Sequence, residues 1–176
     1  MVRACAIIDS MASTTTRPAR TVRDSQHEMS EIMTPQHANV LGNVFGGVIL
    51  SMMDQTAGVV AFRHCRAAVV TMSIDRVDFR EPIRIGDLVI VKASVNYVGR
   101  TSMEIGVRVD AEDLLTGAHR HTNTGFLTFV TVGRDGRPIE APALIPETDE
   151  ERRRHAAAVE RRKRRLEERT NEEQSK

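Results

Sequence analysis

The chain has 176 residues, of which 40% are apolar and 28% charged, and its formal net charge is +1. This composition is ordinary for one soluble globular domain with tails, and the small net charge excludes a global field that attracts nucleic acid. No apolar run approaches the ~18 residues needed to cross a bilayer, which excludes a membrane-spanning helix. We therefore expect neither a nucleic-acid nor a membrane partner. With only two cysteines, Cys5 and Cys65, we expect a reducing, cytoplasmic location.

Three zones follow one another along the chain. Residues 1–26 are rich in Arg, Ser and Thr and lack apolar periodicity, which predicts a disordered leader, with a transit peptide as the alternative. Residues 27–146 carry the apolar periodicity and form the predicted folded domain. Residues 147–176 predict a helix that needs no core, solvated or at an oligomer edge. Its RRKRR run at 161–165 resembles a nucleic-acid patch, but residues 147–176 balance ten Lys/Arg with nine Asp/Glu.

The folded domain begins with a predicted strand within residues 23–33, which Thr34 and Pro35 end. After the turn-rich HANVLGNVFGG, residues 47–65 are apolar on nearly every face, which predicts a buried helix. Short turns separate four further predicted strands, at 69–79, 87–98, 102–110 and 119–132. This order predicts an α+β fold in which an antiparallel sheet of about five strands, the last four in a meander, wraps one long helix. One such unit leaves its helix and sheet poorly covered, so we expect it to pair with a second copy.

Asp54 is the candidate for chemistry within the buried helix. It follows Met52 and Met53 in an otherwise apolar segment. A buried carboxylate costs several kcal/mol unless it is paired or neutralised, so its presence indicates a functional base. The alternative is that Asp54 lies on a wet strip with Ser51 and Gln55.

The turn before the helix supplies further candidates. Gly46 and Gly47 lie at the predicted helix N-terminus, where free N–H groups and the helix dipole would stabilise an oxyanion; a simple cap is the alternative. A phosphate loop is excluded, because Val48 and Ile49 replace the Lys and Ser or Thr it requires. Asn43 is either a turn residue or an amide that orients a water or a carbonyl.

The helix geometry separates two of these candidates. If the helix begins near Gly47, Asp54 lies about 10 Å along its axis from the N-terminus. Asn43 and Asp54 of one chain are therefore not expected to touch. If the two residues cooperate, they do so across a dimer, one from each protomer.

A long, ordered set of segments resembles one known family. The segments are MTPQHANVLGNVFGGVILSMMDQTA (33–57), RHC (63–65), VDFREPIRIGD (77–87), GRTSMEIGVRV (99–109) and TNTGFLTFV (122–130). They resemble the hotdog-fold acyl-CoA thioesterases, in particular the bacterial and brain-type acyl-CoA hydrolases. The resemblance implies a long central helix wrapped by an antiparallel sheet, double-hotdog dimers and trimers of such dimers. It also implies hydrolysis of fatty acyl-CoA to free fatty acid and CoA, with no metal and no cofactor besides the CoA of the substrate.

The resemblance also assigns roles to single residues. It places Asn43 and Asp54 in the active site, each from a different hotdog unit. On that basis we expect Asp54 to act as general base, with direct attack as the alternative, and Asn43 to orient the water. We expect the thioester carbonyl to face the Gly46 and Gly47 amides.

The coenzyme is assigned to a different turn. The resemblance implies that the nucleotide end of CoA lies near the GRTSM turn, where Arg100 would contact phosphate. Thr101 and Ser102 would donate hydrogen bonds there.

Other residue patterns leave alternatives open. His119 and His121 share a strand face, but no third metal ligand accompanies them. His64 and Cys65 are adjacent on the helix, where their side chains diverge by about 100°, which argues against a thiol nucleophile. His37 would be the base of a hotdog dehydratase, the second enzyme hypothesis. A non-catalytic acyl-CoA sensor is the hypothesis from another class.

Overall fold

The structure, a computed structural model, describes residues 17–75 and 77–174. A short 3₁₀ helix spans Pro35–His37. In chain order the other elements are β1 (Ala19–Thr21), β2 (His27–Ile32), α1 (Gly46–Cys65), β3 (Ala68–Ile74), β4 (Leu88–Val98), β5 (Ser102–Asp113), β6 (Ala118–Val132), β7 (Ala143–Ile145) and α2 (Asp149–Gln174).

The main sheet has five antiparallel strands in the order β2-β4-β5-β6-β3. The predicted meander is therefore only partly correct. Strands β4, β5 and β6 follow one another, but β3 lies beside β6 at the edge of the sheet. The exposed side chains along β3 suit an edge position, whereas β4 largely alternates between buried and half-buried residues, as an internal strand covered on both faces does.

Helix α1 packs on one face of this sheet, here called the inner face. It begins at Gly46, one residue before the predicted start, and ends at Cys65 as predicted. Met53 and Ala57 of α1 are buried, as are the inward side chains of Val91, Ile105 and Leu127 on three strands. The apolar helix is thus the core of a curled sheet, which confirms the predicted α+β hotdog architecture.

The predicted disordered leader, residues 1–26, is wrong for residues 17–26. Strand β1 pairs in parallel with β7, and Val22 and Ser25 are buried. Arg17 donates hydrogen bonds to the carbonyls of Gly99 and Ala141. This segment is ordered by backbone pairing, which leaves no apolar periodicity in the sequence. The rest of the predicted leader, residues 1–16, lies outside the described residues.

The predicted C-terminal helix is α2, but it is not solvated on all sides. It crosses the outer face of the sheet, the face opposite α1, and buries Ala158 completely. Arg161 and Arg165, at the two ends of the RRKRR run, bind Glu104 of β5. The i,i+4 spacing places these two arginines on one face of α2. Their charges are paired with an acidic residue of the same chain. Within the described residues, neither helix is long and apolar enough to cross a membrane.

Candidate functional site

Asp54 lies in the middle of α1, half-buried, on the side of the helix next to β3. The Oγ1 hydroxyl of Thr71, on β3, donates a hydrogen bond of 2.8 Å to Asp54 Oδ1. Ser51 and Gln55 flank this position as exposed residues and bind each other. Asp54 is therefore neither deeply buried nor freely solvated. Among the described residues its carboxylate accepts a hydrogen bond from Thr71, and it stays accessible, which a general base would require.

Thr71 is a site residue that the sequence did not reveal. It occupies an alternating strand in which a Thr is an ordinary β residue. Only the packing of β3 against α1 brings its hydroxyl to Asp54.

The loop before α1 is closed by two asparagines. The Asn39 N–H donates to the Asn43 carbonyl at 2.7 Å, and Asn39 Oδ1 accepts from the backbone N–H groups of Leu41 and Asn43. Gly42, with φ of 79°, makes the left-handed turn between them. The backbone of Asn43 also bridges to Arg84, so both asparagines are held in a defined loop.

The N-terminus of α1 carries no side-chain cap. Phe45 is the N-cap residue and its side chain forms no capping hydrogen bond. A Cβ on Gly47 would collide with the Phe45 ring, and one on Gly46 would lie 3.3 Å from the Phe79 ring. The two glycines thus let two half-exposed aromatic rings lie against the helix start. The first N–H groups of a helix lack intrahelical partners, so this end can stabilise an oxyanion.

Asn43 and Asp54 of one protomer lie at different positions along the axis of α1. Asn43 precedes the first residue of α1, Gly46, while Asp54 lies eight residues into the helix, about 12 Å along its axis. The separation expected from the sequence is therefore present.

The turn of Arg100, Thr101 and Ser102 lies at the far end of the sheet from Asn43. It connects β4 to β5, whereas Asn43 lies near the start of β4, a strand of 11 residues that spans roughly 35 Å. The carbonyls of Arg100 and Thr101 accept hydrogen bonds from Ala141 and Thr131, and the Arg100 side chain is exposed. The loop and the turn of a single chain are thus too far apart to share the reacting end of a ligand.

Strand β3 leaves an apolar sheet edge uncovered. Within the part of the chain that the structure describes it pairs only with β6, and Val70, Met72 and Ile74 are 47%, 63% and 43% exposed. Phe62, on the exposed side of α1, is 53% exposed. An apolar edge strand beside an apolar helix face is suited to pairing with another chain.

The remaining candidates have local roles. His37 Nδ1 accepts a hydrogen bond from the Thr34 N–H at 3.1 Å, so the residue serves its own 3₁₀ turn. His121 and His119 lie beside Asp110 and Glu112 respectively. Within residues 17–75 and 77–174, no cluster of three metal-ligating side chains occurs.

His64 and Cys65 do not form a catalytic pair. The His64 ring N–H donates to the Pro142 carbonyl, while Cys65 Sγ lies 3.1 Å from Thr131 Oγ1. Burial raises the pKa of the Cys65 thiol above its ordinary value. The thiol therefore stays protonated near neutral pH and is a poor nucleophile.

Comparison with known proteins links this geometry to one family. The family model of the thioesterase superfamily matches residues 41–118. An uncharacterised acyl-CoA thioester hydrolase of Bacillus subtilis is 38% identical over 135 residues, which are 77% of this chain and 78% of that protein. The cytosolic acyl-CoA thioester hydrolase of rat is 35% identical over 74% of this chain, which spans only 35% of the rat protein.

Solved structures of similar sequence are also acyl-CoA thioesterases or hydrolases. An apo-hexameric acyl-CoA thioesterase superposes with a TM-score of 0.83 at 38% identity, over 86% of this chain and 97% of that one. An acyl-CoA hydrolase of Staphylococcus aureus, solved with butyryl-CoA and CoA, has a TM-score of 0.83 at 33% identity over 90% of this chain and 96% of its own. The same hydrolase has been solved with an Asp, an Asn and a Thr each replaced by alanine.

Proposed function

Because this chain belongs to the thioesterase superfamily, we propose that it hydrolyses fatty acyl-CoA to a free fatty acid and CoA, with Asp54 as general base. One observation carries the proposal: the hydrogen bond from Thr71 that fixes the accessible carboxylate of Asp54. The relatives and solved structures with similar sequences are named acyl-CoA hydrolases or thioesterases, which supports the choice of substrate.

The proposed reaction uses groups of the protein alone. The thioester carbonyl oxygen accepts hydrogen bonds from the Gly46 and Gly47 amides at the uncapped end of α1. Asp54 takes a proton from water while the water oxygen bonds to the carbonyl carbon. The tetrahedral oxyanion then collapses, the C–S bond breaks, and the CoA thiolate leaves and receives the proton. The helix amides stabilise the charge that develops on oxygen, which lowers the barrier most where water is excluded.

The complete site is proposed to form between two protomers. Antiparallel pairing of two β3 strands would cover Val70, Met72 and Ile74 and would run the two α1 helices in opposite directions. The loop before α1 of one chain would then approach Asp54 of its partner. Within one chain the start of α1 and Asp54 lie about 12 Å apart along the helix axis. In the dimer each site would instead combine the loop of one chain with Asp54 of the other. A trimer of such dimers is proposed from the hexameric state of one similar thioesterase.

Asn43 is the predicted partner of Asp54, but a second asparagine in the same loop has stronger support. In the S. aureus hydrolase, the replaced Asn precedes the replaced Asp by 15 residues, and the replaced Thr follows that Asp by 17. Asn39, Asp54 and Thr71 have these same two spacings here. We therefore propose that Asn39 orients the attacking water through its amide, and that Asn43 holds the loop by its backbone.

The coenzyme is proposed to lie across the interface between protomers. Antiparallel pairing brings the Arg100–Ser102 turn of one chain to the level of the α1 N-terminus of the other. Exposed Arg100 would contact a CoA phosphate, with Thr101 and Ser102 as hydrogen-bond donors. The rat relative is named a cytosolic enzyme, and we propose a cytoplasmic location here also.

Free-thiol release from a panel of acyl-CoAs, acetyl to palmitoyl, tests the function. We expect thiol release with at least one chain length, and the panel identifies the preferred length. Calorimetric titration with the same acyl-CoAs distinguishes the alternative hypothesis. Tight acyl-CoA binding without thiol release would support a non-catalytic sensor and contradict the proposal.

A further inference from the structure

A buried charge cluster joins α2 to the outer face of the sheet. Glu104 is only 1% exposed and accepts hydrogen bonds from Arg161 at 2.7 Å and Arg165 at 2.9 Å. Asn96 Nδ2 lies 3.3 Å from the same carboxylate. Burying a carboxylate is tolerated only with such partners, so Glu104 specifies where α2 docks.

The same two arginines also contact the β3–β6 strand pair, Arg165 just after the end of β3 and Arg161 on β6. Arg165 Nη1 binds Asp75 Oδ2 at 2.5 Å, and the Arg161 guanidinium lies 3.7 Å from the centre of the Phe126 ring. The Asp75 N–H donates to the Phe126 carbonyl, which continues the pairing of β3 with β6 for one more residue. The last residue of this pairing is therefore fixed from outside the sheet by α2.

A β-bulge allows β3 and the residue after it to make contacts on both faces of the sheet. Thr71 pairs with Phe129 and Ser73 with Thr128, so Met72 is an extra residue between them. In a regular strand Thr71 and Asp75 would point to the same face, because side chains alternate with a period of two. The bulge shifts this alternation by one residue. Thr71 therefore binds Asp54 on the inner side while Asp75 binds Arg165 on the outer side.

The first turns of α2, as far as Ala157, are not closely packed on the sheet. A cavity of about 770 Å³ separates them from the sheet, with Lys92 and Gly106 on the sheet side and Ala157 on the helix side. Arg108 and Arg153, which also line it, are paired with Asp110 and Glu150. The buried and ion-paired contacts of α2 with the sheet are at Ala158, Arg161 and Arg165. Tyr97 on β4 adds ring contacts with His155 and Arg162.

We propose that Arg165 is a positioning residue for hydrolysis: by holding Asp75 it fixes the bulged strand β3 and thereby the place of Thr71 and Asp54. The inference rests on the proposed role of Asp54. Arg165 touches no reacting atom; it restrains the strand that donates to the base. A displacement of a catalytic group by about 1 Å can reduce turnover by roughly a hundredfold. A restraint on Asp75, four residues after Thr71, is therefore able to change the turnover rate.

Steady-state kinetics of full-length variants test this inference. Arg165→Gln leaves Glu104 paired with Arg161, so the fold is expected to persist, which melting temperature and oligomer size check. We expect kcat to fall about tenfold with KM nearly unchanged, and Arg165→Lys to restore part of the loss. Asp75→Asn should have the same effect, and the double variant should lose no more than either single one. The control is Arg164→Gln, an exposed neighbour on α2.

Each outcome has a defined meaning. Unchanged kcat in Arg165→Gln, an equal loss in Arg164→Gln, or additive losses in the double variant would overturn the inference. An active Asp54→Ala enzyme would instead contradict the proposed function itself. Inactive Asp54→Ala together with fully active Arg165→Gln would reject the positioning role alone.

Discussion

The hydroxyl of Thr71 and the carboxylate of Asp54 form a hydrogen bond of 2.8 Å between an edge strand and the middle of the buried helix. The donor occupies Oδ1, which leaves the second carboxylate oxygen to accept a proton from water. The bond also restricts the side-chain rotation of a half-buried residue. In the proposed reaction Thr71 would therefore orient the base without taking part in proton transfer.

Thr71→Val removes this donor and keeps the β-branched shape. We expect kcat to fall about tenfold while KM changes little, because the substrate contacts remain but the base is less well oriented. Ser73→Ala, two residues further on the same strand, is the matched control. Acyl-CoA hydrolysis at saturating substrate measures the effect, and a Thr71→Val enzyme as active as the Ser73→Ala enzyme would rule out the orienting role.

Subunit mixing tests whether the site is shared between protomers. Asp54→Ala and Asn39→Ala chains are each expected to be inactive alone. After unfolding together and refolding, random pairing should return about a quarter of wild-type activity, since half of the dimers then contain one intact site. A site within one chain predicts no recovery. Repeating the experiment with Asn43→Ala identifies which asparagine cooperates with Asp54.

A charge on the apolar sheet edge should prevent pairing of the protomers. Val70, 47% exposed on β3, is replaced by Lys, which edge strands use to block association. Light scattering should show a smaller assembly than that of the wild type, and thiol release should be lost with the pairing. Leu115→Lys, at a 98% exposed hairpin position, should leave both unchanged. An active Val70→Lys enzyme in the smaller assembly would exclude a shared site.

The stability of the fold should depend on pH through His64. Burial is the largest influence and lowers the pKa of His64 below its ordinary value of 6.5, although the Pro142 carbonyl opposes the shift. Its Nδ1 is buried without a hydrogen-bond partner among the described residues. The unfolded chain thus binds a proton at a pH where the folded chain does not. The free energy of unfolding should fall as pH falls from 6.5 to the lower folded pKa, and change no further below it on account of His64.

Urea titrations between pH 8 and pH 5 measure this dependence. His64→Gln should flatten the slope in that interval even if it lowers stability throughout, whereas His119→Gln, at an exposed position, should not. An unchanged slope in His64→Gln would assign the pH dependence to other groups.

The central helix and its carboxylate were predictable because their signal is local. Residues 47–65 are apolar on nearly every face, and Asp54 is the one acidic residue among them. Thr71, the bulge at Met72 and the docking of α2 were not predictable, because each depends on contacts between distant parts of the chain. Arg161 and Arg165 illustrate this best: their spacing indicates one helix face, but only the fold shows Glu104 beneath it.

The loop before α1 illustrates a different limit. Asn43 lies in the distinctive GNVFGG segment, whereas the sequence around Asn39 indicates an ordinary turn residue. Their hydrogen bonds show that both take part in closing the loop, so the residue type alone cannot assign the chemical role. The spacing to Asp54 and Thr71 is the observation that favours Asn39.

Thiol release by wild-type and Asp54→Asn enzyme tests the central claim most directly. Asn keeps the size of Asp and can accept the Thr71 hydrogen bond, so fold, oligomer size and acyl-CoA binding should persist. It cannot take a proton from water, and we expect kcat to fall by about a hundredfold or more, with acyl-CoA still bound. Hydrolysis at the wild-type rate by a folded Asp54→Asn enzyme would contradict the assignment of Asp54 as the base.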